Sequence, residues 1–344
     1  MKKLLAILLL ALFSSGAFAQ GKYRIAWSHY TGWEPWGYAQ QAGIVKKWGQ
    51  KYGIDIEVSL INDYVESINL YTAGKFDGCL MTNMDVLTIP AVGGIDSTAL
   101  IVGDFSNGND GIVLKGGSSV KDLKGRSVKL VEFTVSHYML ARALEMNGMS
   151  ERDIKTVNTS DADIAAVFTS DPKGAAVTWN PPLQQARNAK GAALIFDSSK
   201  IPGEIMDLLV VRTNSPDTLK KALAGAWYET MALMAAGNKA SAEAIEAMAK
   251  ASGATVPEFK AQLATTAMFY KAADAAAFAK GGEVKKTMEH VRTFSFAKGL
   301  FGKAAKSKDY VGIEFPDASV IGDKKNVKLR FNASYMQMAA EGKL

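Results

Sequence analysis

The stretch Asp63-Tyr64-Val65-Glu66-Ser67-Ile68-Asn69-Leu70-Tyr71-Thr72-Ala73-Gly74-Lys75-Phe76-Asp77-Gly78-Cys79-Leu80-Met81-Thr82-Asn83-Met84-Asp85 contains, in order, a helix cap, a helix, a tight turn, a short apolar strand and a second helix start. Asp63 is an N-cap type whose carboxylate can accept from the free N–H groups of a first turn. The helix then runs to Thr72. Ala73-Gly74-Lys75 reverses the chain into a strand from Gly78 to Met81, and Thr82-Asn83 opens the next helix. The same order recurs about a hundred residues later. Asp161 caps a helix to Thr169, Gly174 starts a strand to Thr178, and Trp179-Asn180-Pro181-Pro182 follows. In parallel sheets, the space beyond the C-terminal strand ends, against helix N-termini, is where ligands sit. Two such halves facing each other would enclose a cleft.

Working outward, Tyr23–Trp27 and Ile54–Ile61 read as strands flanking a helix from about Glu34 to Tyr52, with Pro35 suited to its first turn. That gives βαβαβ and a parallel sheet with right-handed crossovers. Thr98–Asp104 is a further strand, and Ser106-Asn107-Gly108-Asn109 a turn cluster. A second α/β unit follows. Its strands are Ile112–Leu114, Ser127–Val131, Lys155–Val157, Gly174–Thr178 and Leu194–Phe196, with a helix over Val135–Asn147 stopped by Gly148. Leu208–Arg212 is again a strand. From Pro216 to about Leu300 the pattern is helical and Ala-rich, and the tail 311–344 holds a short β-like stretch and a last helix.

At the N-terminus, Lys2 and Lys3 precede the apolar run Leu4–Phe13, and Ala17-Phe18-Ala19 fits a small-x-small cleavage pattern. This predicts a secretory signal peptide over 1–19, shorter than the about 20 apolar residues a span needs. The remaining residues suffice for two lobes with separate cores. Net charge is +6, with basic pairs such as Lys46-Lys47 and Lys324-Lys325 scattered along the chain. There is no concentrated basic face with stacking aromatics, so nucleic acid is not an expected partner. Cys79 is the single cysteine, which excludes an internal disulfide and any thiolate metal cluster. Its apolar setting predicts a core residue. His29, His137 and His290 have no close ligand spacing, so no metal or other cofactor is expected.

The order of elements from Tyr23 to Arg212 resembles the nitrate/sulfonate/taurine-type periplasmic substrate-binding proteins of ABC importers. The resemblance rests on the leader, the aromatic loop with Gln41-Ala42-Gly43-Ile44, the turn Thr72-Ala73-Gly74-Lys75-Phe76-Asp77, Asp122-Leu123-Lys124-Gly125 and Trp179-Asn180-Pro181. The long Trp-rich opening loop is similar to the urea-carboxylase-associated branch, which implies urea- or guanidine-like cargo. Asn180 departs from many relatives, which carry an acidic residue there. The resemblance implies a two-lobe α/β periplasmic binding protein of type II, with parallel-core sheets, a ligand cleft between the lobes and C-terminal helices packed on the first lobe. The expected divisions are 20–107 for the first lobe, 108–211 for the second and 212–344 for the return. It also implies a periplasmic location, a transient membrane-embedded permease partner and a monomer.

The cleft candidates follow from the strand ends. Trp27-Ser28-His29-Tyr30-Thr31-Gly32-Trp33-Glu34-Pro35-Trp36 packs three tryptophans into a loop, where aromatic area serves contact better than core. Trp27, Ser28, His29, Trp33 and Trp36 are therefore candidates, with Asp63, Asn83, Asp85, Glu132, Ser136, Trp179 and Asp207. Asp63 has a competing role as a cap, Trp179 as a wall and Asp207 as a hinge partner. These loops hold carboxylates and aromatics but no Lys or Arg, although the chain has 40 of them. An anion receptor recruits Arg, whereas carboxylates beside aromatic faces suit a small cation. The expected ligand is a small planar nitrogen compound, cationic by preference, held by Glu132 or Asp85 between Trp33 and Trp179. A neutral urea-like amide, a sulfonate or taurine, and a thiamin-pyrimidine-related enzyme on the same fold remain as alternatives. No grouping of residues defends an enzyme.

Overall fold

The computed structural model describes residues 21–344, so the expected signal peptide lies outside the described residues. Ten strands build two sheets: β1 (Lys22–Trp27), β2 (Asp55–Leu60), β3 (Gly78–Thr82), β4 (Ser97–Ser106), β5 (Asp110–Lys115), β6 (Ser127–Leu130), β7 (Lys155–Asn158), β8 (Ala175–Trp179), β9 (Ala192–Asp197) and β10 (Met206–Arg212). The larger sheet has the parallel core β2-β1-β3, followed by antiparallel β10 and then β4. The smaller repeats this plan as β7-β6-β8, antiparallel β5, then β9. The strands nearest each core are fully buried apolar runs, as expected where helices cover both faces. β11 (Thr266–Met268), β12 (Gly312–Glu314), β13 (Val320–Ile321) and β14 (Val327–Phe331) extend the larger sheet beside β4.

The helices are α1 (Glu34–Gln41), α2 (Ile44–Lys51), α3 (Tyr64–Thr72), α4 (Asn83–Val86), α5 (Val135–Met146), α6 (Asp161–Ser170) and α7 (Pro182–Arg187), then α8 (Asp217–Ala235), α9 (Lys239–Ala251), α10 (Val256–Leu263), α11 (Ala272–Lys280), α12 (Gly282–Ala297) and α13 (Ser334–Ala340). The helix expected over 34–52 is two helices, because Gly43 takes φ 77° and turns the chain between them. Asp63 caps α3 as expected, accepting from Glu66 N–H. Ser160, not Asp161, caps α6. β11 interrupts the Ala-rich region. Three residues give no readable alternation, and their strand character comes from pairing with β4.

The chain crosses between sheets at 107–109 and again over 198–205, since β10 pairs wholly within the larger sheet. The second crossing therefore precedes β10, where the sequence placed the boundary at 211. The C-terminal helices pack on the larger lobe, with Trp227 of α8 stacked on Trp36 at 5.2 Å. Cys79 is buried in β3, and burial pushes its thiol up to about 12, so it behaves as a small apolar residue. Among the described residues, no helix is long and apolar enough to cross a membrane.

The crossings position the site. β4 ends, and β5 and β10 begin, at the seam between the lobes, so residues at those three ends meet at the floor of the cleft. Ser106 and Ser198 hold the seam, Oγ to Oγ at 2.7 Å, and the Gly108 N–H donates to Ser198 Oγ at 2.7 Å.

Candidate functional site

Between the lobes lies a small pocket with about 10 Å³ of free space, room for about one water molecule. Four aromatic rings wall it: Tyr30 and Trp33 from the loop after β1, Tyr64 from the first turn of α3, and Trp179 from the end of β8. The rings form a chain, with centroids 5.1 Å apart for Tyr30–Trp33, 5.6 Å for Trp33–Tyr64 and 5.4 Å for Tyr64–Trp179. Thr82, Val135 and Ile205 fill the gaps, and Asp110 and Asp207 form the polar floor. Among the described residues, no Lys, Arg or His lines this space.

The two lobes touch across it. The Trp179 indole Nε1–H donates to the His29 carbonyl at 3.1 Å, and the Tyr64 N–H to Asp161 Oδ1 at 3.4 Å. At the outer edge, Lys298 at the end of α12 pairs with Glu151 of the smaller lobe, which also meets His137 Nε2 at 3.0 Å.

Four fully buried carboxylates surround the floor, and none forms an ion pair among the described residues. Asp85 accepts from Tyr64 Oη at 2.7 Å and from Thr82 Oγ1 at 2.8 Å, and so fixes two cavity-lining groups from behind. Burial raises its pKa to about 6, against the pull of Tyr64, Thr82 and the Val135 N–H. Val135 starts α5, so Asp85 of the larger lobe faces the positive end of a helix in the smaller one. Asp110 is pushed up to about 7, chiefly by burial. Asp104 accepts from Tyr30 Oη at 2.9 Å, and burial raises it to about 7. Asp207 stands opposite Asp104 in the β10–β4 register and is raised furthest, by burial and then by the neighbouring Asp104 and Asp110 charges.

The sequence candidates separate into groups. Trp33, Trp179 and Asp207 line the cavity, with Asp85 directly behind it. Trp27 packs under α1, where a methyl on Gly37 would lie 2.5 Å from its ring. Trp36 is buried in the stack with Trp227. His29 bonds Glu34 through Nδ1 at 2.6 Å, and its pKa is raised mainly by that bond. Ser28 and Ser136 are buried, and their hydroxyls have no partner among the described residues. Asn83 braces the second crossing: its amide donates to the Glu204 carbonyl at 3.2 Å and its oxygen accepts from Met206 N–H at 3.0 Å. Glu132 and Asp63 lie outside the cavity, in an outer groove shared with Glu66 and Asp161. Glu132 is turned outward because β6 ends at Leu130, two residues earlier, and the intervening loop carries it past the rim.

Thr82, Asp104 and Asp110 were not among the candidates, and Tyr30 and Tyr64 only as general aromatic lining. Asp104 and Asp110 carried a readable signal. Each is a charge at the end of an otherwise apolar strand, on either side of a turn cluster, and such residues are rarely buried without purpose.

Residues 38–224, more than half the chain, match the family model described as NMT1/THI5 like. The chain belongs to the NMT1/THI5-like family. No curated protein matches it in sequence. Among solved structures, this NMT1/THI5-like chain is similar to the alkanesulfonate-binding protein SsuA from Xanthomonas axonopodis pv. citri bound to MOPS. The TM-score is 0.67 at 16% identity, covering 82% of this chain and 95% of the other. The periplasmic aliphatic sulphonate binding protein SsuA from Escherichia coli gives 0.66 at 18%, covering 83% and 95%. The desulfurization enzyme DSZB gives 0.54 at 13%, covering 81% and 93%. These likenesses fix the fold as that of periplasmic binding proteins, with two lobes about a cleft. Since the same fold carries an enzyme, function has to come from the site.

Proposed function

We propose that this NMT1/THI5-like protein is the periplasmic capture component of an ABC importer, exported by the signal sequence at 1–19, and that it delivers a small planar nitrogen cation of the guanidinium type to a membrane permease. The observation that carries this is a cavity walled by Tyr30, Trp33, Tyr64 and Trp179 over Asp110 and Asp207, with no basic side chain in its lining. Ring faces attract a desolvated cation by about 2 kcal/mol, and carboxylates add charge-assisted hydrogen bonds. An anion would find the opposite. Its best anchor in such a cleft, the N-terminus of α5, already faces Asp85. The free space with the lobes together is about 10 Å³, one water's worth, so only a ligand of a few heavy atoms suits it and the lobes must part to admit even that. Four heavy atoms at the ceiling of about −1.5 kcal/mol each give about −6 kcal/mol, a Kd of order 10⁻⁵ M.

One observation favours a second reading. Asp110, raised to about 7, is protonated part of the time at neutral pH and can then donate, and Trp33 Nε1 is a buried donor without a partner among the described residues. A neutral urea-like amide, with a carbonyl to accept from them, is the runner-up.

Calorimetry with guanidinium, urea, taurine and nitrate distinguishes these. Heat with guanidinium alone supports the first reading, and heat with urea alone the second. Binding of taurine or nitrate without either nitrogen compound overturns both, and chemical conversion of a bound compound would make the protein an enzyme.

A further inference from the structure

Asp104 and Asp207 occupy paired positions on adjacent antiparallel strands. Like charges placed directly opposite repel, and both carboxylates are fully buried. Each has one oxygen, Oδ2, with no hydrogen-bond partner among the described residues. Gly32 packs closely on Asp104: a methyl there would lie 2.4 Å from Asp104 Oδ2. The surrounding groups give no compensating charge. From the loop after β1, Tyr30 donates to Asp104 Oδ1. From β5, Asp110 adds a further negative charge that acts on both. Tyr270, beyond β11, feels Asp104 and is neutral at physiological pH. On β3, Asp207 is paired with Thr82, which does not titrate, with Asp85 behind it. Among the described residues no lysine, arginine or histidine pairs with either carboxylate. Two oxygens without partners, on neighbouring buried acids, are what one shared proton would satisfy. Asp207 also lines the cavity, so a ligand reaches the pair directly.

We propose that Asp104 and Asp207 hold one proton between them in the ligand-free protein, and that a cationic ligand displaces it, so that capture releases a proton to the solvent. This rests on the reading of the cleft as a cation site. Charge then balances: one positive charge leaves the carboxylate pair as another arrives beside it. Capture weakens as the surroundings acidify.

The test uses guanidinium chloride and the full mature chain, by calorimetry at about pH 8 in two buffers of different ionisation enthalpy. Burial raises Asp110 as well, so the pair is identified as the source by proton release that persists in Asp110→Asn. About one proton is released per guanidinium bound, and affinity changes about tenfold per pH unit there. In Asp207→Asn, guanidinium binding is weaker and proton release at that pH is lost. Carboxyl NMR of the ligand-free wild type shows one proton retained by the pair at about pH 7, independently of any variant's folding. Guanidinium bound without proton release overturns the exchange and leaves the ligand reading standing. Absence of guanidinium binding from about pH 6 to 9 overturns both. Full ionisation of both carboxyls below about pH 5 in the ligand-free protein overturns the shared proton whatever binds.

Discussion

Trp179 at the end of β8 and His29 after β1 are joined across the two lobes, indole Nε1–H to carbonyl oxygen, at 3.1 Å. One residue thus both walls the cavity and ties the lobes shut. On the proposed reading this couples ligand to closure, because the ring offered to the cation reaches its place only when the lobes meet.

Trp179→Phe separates the two roles. It keeps an aromatic face and removes the N–H. One hydrogen bond is worth about 1 kcal/mol net, so guanidinium affinity should fall about fivefold. Trp179→Ala should cost more, since the ring face goes too. Small-angle scattering on the wild type should show compaction on ligand addition from an open state. An unchanged radius at saturation, from a demonstrably open start, would count against hinge closure.

Asp207→Asn and Asp110→Asn should each lower guanidinium affinity by about thirtyfold or more, the usual cost of removing one partner of a desolvated charge pair. Asp110→Asn should also melt higher than wild type without ligand at about pH 8, because it removes a buried charge that has no ion-pair partner among the described residues. Glu132→Gln should change affinity by less than about twofold at physiological salt, being in the outer groove where charge is screened. A large loss in Glu132→Gln with none in Asp207→Asn would reverse this assignment.

Ligand-free stability should fall with rising pH. Asp85, Asp104 and Asp110 titrate at about 6, 7 and 7 in the folded chain, against an ordinary value of 3.8. Between these limits the folded state binds more protons than the unfolded one, so its advantage is complete at low pH and is lost as pH rises. His29, raised mainly by its bond to Glu34, acts in the same direction. Thermal unfolding should therefore occur about 5 °C lower at pH 8 than at pH 5, and added guanidinium should restore more of the loss at pH 8. A flat or rising profile would show that the carboxylates ionise normally.

Trp36→Ala should behave as a core variant. Trp36 is stacked on Trp227 and lies away from the cavity, so about 3–5 kcal/mol of stability should be lost. Whatever folded protein remains should bind guanidinium within about twofold of wild type. A selective loss of binding at unchanged melting temperature would return Trp36 to the site.

Local pattern determined the helix caps at Asp63, the buried strands around Cys79 and Val177, the repeat of one α/β plan, and the excess of acids and aromatics over bases at the strand ends. These depend on residues near one another in the chain, through alternation, capping and turn chemistry, and they are legible without coordinates. Tertiary structure decided which of those residues meet. Trp27, Trp33 and Trp36 look equivalent in one loop and all three are buried, yet only Trp33 lines the cavity, while Trp27 packs against Gly37 and Trp36 against Trp227. Glu132 and Asp104 are both acids near strand ends, but Glu132 stands on a loop beyond β6 while Asp104 is held within β4, opposite Asp207 and more than a hundred residues from it. Pairing between β4 and β10 is a long-range contact, and no local pattern encodes its register; the two crossings between the lobes do, by bringing the ends of β4, β5 and β10 to one seam and leaving their carboxylates to be answered by a ligand or a proton.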